Sequence, residues 1–172
     1  MKKFLIIVMS TYIALVLLMP KTELFYTLKK FLQKERVVMT QERVLDRWFD
    51  LKIEGLKLYY DGIESAKAAE VELVPWLFWN RLVANDVEAG SDLRKMFDFK
   101  ADRVAVVQSI LSPLHASLHA EGNFGTIEGT IDLKEGKVRV ICEPTKRFKN
   151  SAAFRELFKK EGEGYVHESL LY

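Results

Sequence analysis

His115 and His119 are four residues apart, the spacing at which a helix offers two imidazoles to one zinc ion. Their context argues against that use. Leu114, Ala116, Leu118 and Ala120 alternate with His115, Ser117, His119 and Glu121, the period of a half-buried strand. At a strand's rise of roughly 3.3 Å per residue the two rings stand about 13 Å apart, too far to share a metal. His167 is distant in sequence and adds no third ligand. Cys142 lies between Ile141 and Glu143 with no Cys-x-x-Cys partner, so it reads as a buried structural thiol rather than a nucleophile. Ser109, Ser112, Ser117 and Ser151 lack a G-x-S-x-G context. Gly122-x-x-Gly125-x-x-x-Gly129 falls between strand patterns, where sheet turns explain it better than a phosphate cradle. Asp46 with Asp50, and Glu70 with Glu72, read as solvated faces of a helix and a strand. The expectation is a protein that is not an enzyme, with no cofactor and no metal.

The aromatic residues carry more information. Pro75 cannot donate a ladder hydrogen bond, so a strand should stop there and Trp76, Leu77, Phe78 and Trp79 should fold over a sheet face. Together with Leu58 and Tyr60 on the strand before it, this corner is the candidate surface for membrane, lipid or partner. Ordinary core packing is the competing explanation.

The stretch Leu51 to Asn80 organises the elements around that corner. Leu51 and Ile53 alternate, as do Leu56, Leu58 and Tyr60, and Gly55 marks a change of face of the kind a bulge produces. Asp61-Gly62 is a tight-turn dipeptide. Ala66, Ala68, Val71 and Leu73 carry the second strand. Further strands are expected over Arg81–Gly90, Phe97–Leu111, Leu114–Glu121, Ile127–Leu133 and Val138–Pro144, with a last one from Tyr165 to Tyr172 and a loop over Ser91–Met96. Gly129 leaves a gap for a bulky neighbour. Helices fall at the two ends. Leu24, Phe25, Leu28, Phe31 and Leu32 recur at helical spacing between Thr22 and Lys34, either as a membrane-surface helix or as a cover for the sheet. Val44, Leu45, Trp48 and Phe49 suggest a short helix over Thr40–Phe49 with Thr40 as N-cap. Asn150 or Ser151 caps a helix bearing Phe154, Leu157 and Phe158, ended by Gly162 and Gly164. The fold class is mainly β with α: an N-terminal transmembrane helix, then a curved antiparallel meander with short helices at both ends.

The first twenty residues set the compartment. Met1-Lys2-Lys3 precedes the sixteen uncharged residues Phe4 to Met19, closed by Pro20-Lys21, with no small-residue cleavage site. This reads as an uncleaved signal anchor, short of the roughly 17 to 25 residues of a spanning helix unless Lys2, Lys3 and Lys21 snorkel. Lysines flank it on both sides and leave orientation open. The basic extreme N-terminus favours a chain whose bulk lies outside the cytoplasm. The 172 residues are 49% hydrophobic, enough for one core. Interspersed charges with a net of +2 produce no field that would draw the chain to nucleic acid.

Taken together, the anchor, a short helix (Tyr26 to Gln33), Phe49-x-Leu51-x-Ile53-x-Gly55-x-x-Leu58-x-Tyr60-x-Gly62, Val71-x-Leu73-x-Pro75 and Gly122-x-x-Gly125-x-x-x-Gly129 followed by Asp132-Leu133 resemble the AsmA-like envelope proteins. Among them the chain looks most like the type II secretion system protein N family. The resemblance covers Met1 to Pro144; the segment from Phe154 to Tyr172 has no counterpart. It implies a single-pass bacterial inner-membrane protein with a periplasmic, curved antiparallel sheet; the residues themselves divide the chain into an anchor over 1–20, a juxtamembrane helical segment over 21–48, and an antiparallel β domain with a C-terminal helix over 49–172. The implied function is a non-enzymatic scaffold or adaptor whose partners are the inner membrane and other envelope or secretion proteins. The alternative is a lipid-handling module that holds an acyl chain in a curved-sheet groove.

Overall fold

The computed structural model describes residues 2–76, 78–91, 93–94, 99–151, 154, 158–161 and 164–170. Among the described residues three helices and eleven strands are delimited: α1 (Lys2–Leu17), α2 (Lys21–Lys34), β1 (Val37–Thr40), β2 (Arg43–Asp46), β3 (Leu51–Tyr60), β4 (Ile63–Trp76), β5 (Trp79–Ala89), β6 (Lys100–Ser109), β7 (His115–Gly122), β8 (Gly125–Asp132), β9 (Lys137–Pro144), α3 (Lys146–Lys149), β10 (Lys159–Glu161) and β11 (Gly164–Leu170). All strands belong to one antiparallel sheet. From β3 to β9 each strand lies beside its chain neighbour, so this part is a meander; β11 then returns beside β9 with β10 outside it. Short β10 is exposed throughout. At the other edge β1 and β2 share one side of β3, separated by Gln41 and Glu42.

Leu51, Ile53, Leu56, Ala68, Val71 and Ala84 belong to one buried cluster, although Ile53 and Leu56 are three apart, as are Ala68 and Val71. In a regular pleat such pairs point to opposite faces. The phase is reset along a transverse row. Glu54 pairs with Glu70 and Leu56 with Ala68, so Gly55 lies level with Ala69; the same step places Ala69 level with Asp86, and Asp86 level with Asp102. Gly55 and Asp86 hold left-handed backbone, at φ 63° and 50°, conformations open to Gly and tolerated by Asp. The face change expected at Gly55 is therefore present, but it is one member of a crease crossing four strands. A distinct irregularity between Leu58 and Tyr59 lies nearer the turn.

One face of the creased sheet carries the core. Phe25 and Leu32 of α2, with Met39, pack on β3 to β6. Farther along, Ala101, Ala120 and Phe124 form a second buried group against Phe99 and Phe148, and Val87 and Val104 touch both groups, which makes the face continuous. The Phe99 and Phe124 rings stack at 4.7 Å. On the other face of β3 to β5 run charged pairs: Lys52 with Glu70 at 2.6 Å and Glu54 at 3.3 Å, and Lys67 with Glu88 at 3.1 Å. The hydrogen bond from Lys67 holds the Glu88 carboxyl below its usual range, and that to Glu70 raises the Lys52 ammonium. The solvated reading of Glu70 thus becomes an ion-paired ladder.

Several expectations need correction. Residues 40–49 form no helix; β1 and β2 take the open hydrogen-bonding edge of β3, and Val37, Val38 and Val44 suit strands. The segment over 21–48 is accordingly helical only as far as Lys34. β4 does not stop at Pro75. It runs to Trp76, and Pro75 is accommodated because β3 begins opposite Leu73, leaving Val74 onward paired with β5 alone. The short helix α3, capped by Thr145 accepting from Phe148 N–H, precedes the helix expected around Phe154 and was not anticipated; for that later helix Ser151 Oγ accepts from Phe154 N–H at 3.1 Å, the bond expected of its cap. Leu157, Gly162 and the loop and strand-start expectations at Met96 and Phe97 lie outside the described residues, as does Tyr172; Gly164 opens β11. Asp61-Gly62 is a two-residue turn with both φ positive, as expected. The gap at Gly129 is taken by Val140, whose Cγ1 would stand 2.6 Å from an added Cβ.

At Gly55 an added Cβ would fall 2.5 Å from Glu42 Cγ, in a backbone conformation that L residues avoid. Gly55→Ala should lower unfolding free energy by about 1–3 kcal/mol in denaturant titration. In Glu42→Ala/Gly55→Ala the contact is relieved and the φ strain stays, so only part of that loss returns. A Gly55→Ala protein as stable as the parent refutes the crease as a constrained feature.

Candidate functional site

The strands run alternately toward two ends of the sheet, and the apolar residues choose one of them. The turns β2–β3, β4–β5, β6–β7 and β8–β9 share an end, and each exposes large apolar side chains: Trp48 (75% exposed) and Phe49, then Trp76, Phe78 and Trp79, then Ile110, Leu111 (91%) and Leu114, then Leu133. At the β4–β5 corner Trp76 and Trp79 close the two strands and pair directly across the hairpin at the sheet's end. Trp76 Nε1 donates to the Phe49 carbonyl at 3.2 Å and its ring meets Phe49 at 6.3 Å, joining two neighbouring turns. Ile110 N–H bonds to the Phe78 carbonyl and Leu133 N–H to the Leu114 carbonyl, joining two further pairs of turns.

Both N-terminal helices meet this end. Tyr12 of α1 packs against Phe78 at 5.1 Å, and Val16 is buried. The rest of α1 exposes Phe4, Leu5, Ile6, Ile7 and Ile13 around its circumference. Lys21, at the start of α2, was expected to snorkel but is 3% exposed and reaches Asp46 Oδ1 at 3.1 Å, while Thr22 donates to Asp46 Oδ2 at 3.3 Å. Asp46 is thus the strand-borne acceptor that ties the helical segment to the sheet.

Between α2 and the sheet lies a groove of about 280 Å³. Its floor has two transverse rows, Leu51, Leu73, Leu82 and Val106, then Pro75, Asn80 and Gln108, where Asn80 Nδ2 donates to Gln108 Oε1 at 2.7 Å. Leu24, Phe25 and Leu28 of α2 form its wall. Nearly all of this lining is hydrocarbon, so the groove suits an alkyl chain better than a polar substrate.

The candidate residues therefore separate. Pro75 lines the groove, Trp76, Phe78 and Trp79 form the apolar end, and Leu77 lies outside the described residues. Leu58 instead packs on the core, and Tyr60 is exposed at the opposite end beside Ile63. The sequence reading missed Tyr12, Trp48, Leu111 and Leu114 as companions of the corner. The available signal was positional: in a meander every second turn returns to the same end, and these turns are the apolar ones.

The titratable candidates are dispersed. His115 Nε2 lies 3.3 Å from Asp132 Oδ2, and His119 Nε2 lies 2.8 Å from Glu121 Oε1, on one strand and one open face. Backbone N–H groups of Glu135 and Lys134 hold the Asp132 carboxyl below its usual range, with His115 contributing less, which marks this carboxylate as the organiser of the β8–β9 turn. His167 sits on β11, its ring 5.8 Å from Phe158. Among the described residues no group of three or more His, Cys, Asp or Glu side chains is placed to hold a metal ion.

Among the described residues, fold and site together define an antiparallel meander with a helix-lined apolar groove and an apolar end. No family model, curated protein or solved structure matches the chain.

Asp46→Ala should destabilise the protein by about 1–3 kcal/mol, because it strands a buried ammonium; Lys21→Met, which leaves only a partly exposed carboxylate, should cost less. Equal losses in thermal or chemical melts contradict the clamp. Burial pushes the Cys142 thiol up to about 11, with Glu143 adding to the shift. At pH 8 the folded chain should therefore react with a maleimide far more slowly than the chain in denaturant, and equal rates refute the placement.

Proposed function

We propose that this chain is a non-enzymatic, membrane-anchored protein of the bacterial inner membrane, its bulk in the periplasm, acting as a scaffold or adaptor in a secretion or envelope-assembly machine, similar to type II secretion protein N. The supporting observation is α1. Its apolar side chains are largely exposed, apart from Tyr12, which meets Phe78, and Val16, which is buried, leaving a surface that water solvates poorly and lipid solvates well. Among the described residues no single helix is long and apolar enough to cross a membrane; α1 and α2 pass that test only as a pair bent by 53°. Because Phe25 and Lys21 commit α2 to the sheet, α1 is the segment available to a bilayer.

A second reading, a lipid-handling module, draws support from the groove. An acyl chain laid along Leu73, Leu82 and Val106 would replace water over hydrocarbon at about 0.8 kcal/mol per buried methylene. Mass spectrometry of the purified full chain, transferred out of detergent, then finds co-purifying lipid, and Leu82→Trp reduces it; a chain that is always empty sinks this reading.

For the leading proposal, a reporter that is active only outside the cytoplasm, fused after Tyr172, should be active, and the chain should resist alkaline extraction from membranes. A well-expressed but silent fusion, or a freely extracted chain, overturns it.

A further inference from the structure

We propose that the apolar end of the sheet is itself a membrane-docking surface: Trp48, Trp76, Phe78, Trp79 and Leu111 sit in the headgroup–acyl boundary of the leaflet that α1 enters, standing the strands on the bilayer. This inference rests on the anchor reading and adds an occupant for the strand ends.

Three observations carry it. The first is depth. Phe78 meets α1 at Tyr12, more than a turn before the helix ends at Leu17. At about 1.5 Å per residue, Phe78 lies about 7–8 Å inside the helix end. A bilayer that covers α1 to its last turn therefore covers Phe78 and the hairpin behind it, at the roughly 5–10 Å depth of interfacial apolar groups. The second is the asymmetry of the two ends. At the other end Tyr60 and Ile63 are the exposed large apolar residues of the β3–β4 hairpin, and beside them Arg36 pairs with Asp61 while Glu88 is bracketed by Lys67, Arg94 and Lys100. At the apolar end the ion pairs Arg47–Asp50 and Lys137–Glu135 stand among a greater number of exposed large apolar side chains, drawn from four turns. The third is residue type. The chain has three tryptophans, and all three stand at the apolar end, two of them paired across one hairpin. Tryptophan combines a large apolar ring with an N–H that seeks a polar partner, which suits it to the interface.

The groove mouth near Lys21 and Pro75 then opens beside the lipid surface, because Asp46, which receives Lys21, belongs to the strand that leads into the Trp48 turn.

Tryptophan emission reports this surface without labelling. The full chain is reconstituted into phosphatidylcholine–phosphatidylglycerol vesicles whose acyl chains carry bromine near the glycerol end, near the chain terminus, or not at all. The expected result is loss of most of the emission with the shallow bromines and a smaller loss with the deep ones. Leu111→Asp, at a side chain almost wholly in solvent, should weaken the quenching while leaving the melting transition unchanged. Emission equal in brominated and plain vesicles, with the chain still floating with them, overturns the docking surface and leaves the anchor standing. Blue-shifted but unquenched emission assigns the end to contact between copies of the chain and overturns it equally. A chain that does not float with vesicles overturns both readings.

Discussion

In a regular strand, side chains two apart share a face, and a sheet with long strands keeps one apolar face only if every strand obeys that rule to its end. Here four adjacent strands break it together. Because Gly55, Ala69, Asp86 and Asp102 share one transverse row, Leu51 and Ile53 on one side of the crease and Leu56 and Leu58 on the other all reach the same core. Had only one strand slipped, its apolar set beyond that point would face the charged ladder of Lys52, Glu70 and Glu88. The placement of α2, the groove beneath it and the continuity between the two buried groups all depend on the four resets being in register.

That dependence also explains what could be read in advance. Strand alternation, the Asp61-Gly62 turn and the pairing of neighbours are local properties, and they locate eight of the strands. The reset at Gly55 was visible because glycine advertises it. Its counterparts at Ala69 and Asp102 carry no special residue and become legible only through their partners. The edge strands β1 and β2 failed for the opposite reason: Val44, Leu45, Trp48 and Phe49 happen to fit a helical spacing, and only the unpaired side of β3 decides between the two forms. Lys21 was legible as a charge and illegible as a tether, since its acceptor, Asp46, lies on a strand the periodicity did not reveal.

The site divides along similar lines. Composition singled out Pro75, Trp76, Phe78 and Trp79, which do stand together at the foot of one hairpin. It also grouped Leu58 and Tyr60 with them by nearness in sequence, whereas the strand carries these two residues toward the far end of the sheet. What unites the apolar end is meander topology, which returns every second turn to the same place and so gathers Trp48, Leu111 and Leu133 from distant parts of the chain.

The two margins of the sheet differ from its interior. One is broken where Glu42 lies against Gly55, so that no strand longer than four residues borders β3 there; the other ends in Lys159, Lys160 and Glu161, short, solvated and charged. Among the described residues, both margins are built of strands of three or four residues, which shortens the row of amides and carbonyls on which another chain's strand could template itself. The margins of the sheet, among the described residues, are in this way guarded against edge-to-edge polymerisation, while its ends and faces remain open to contact.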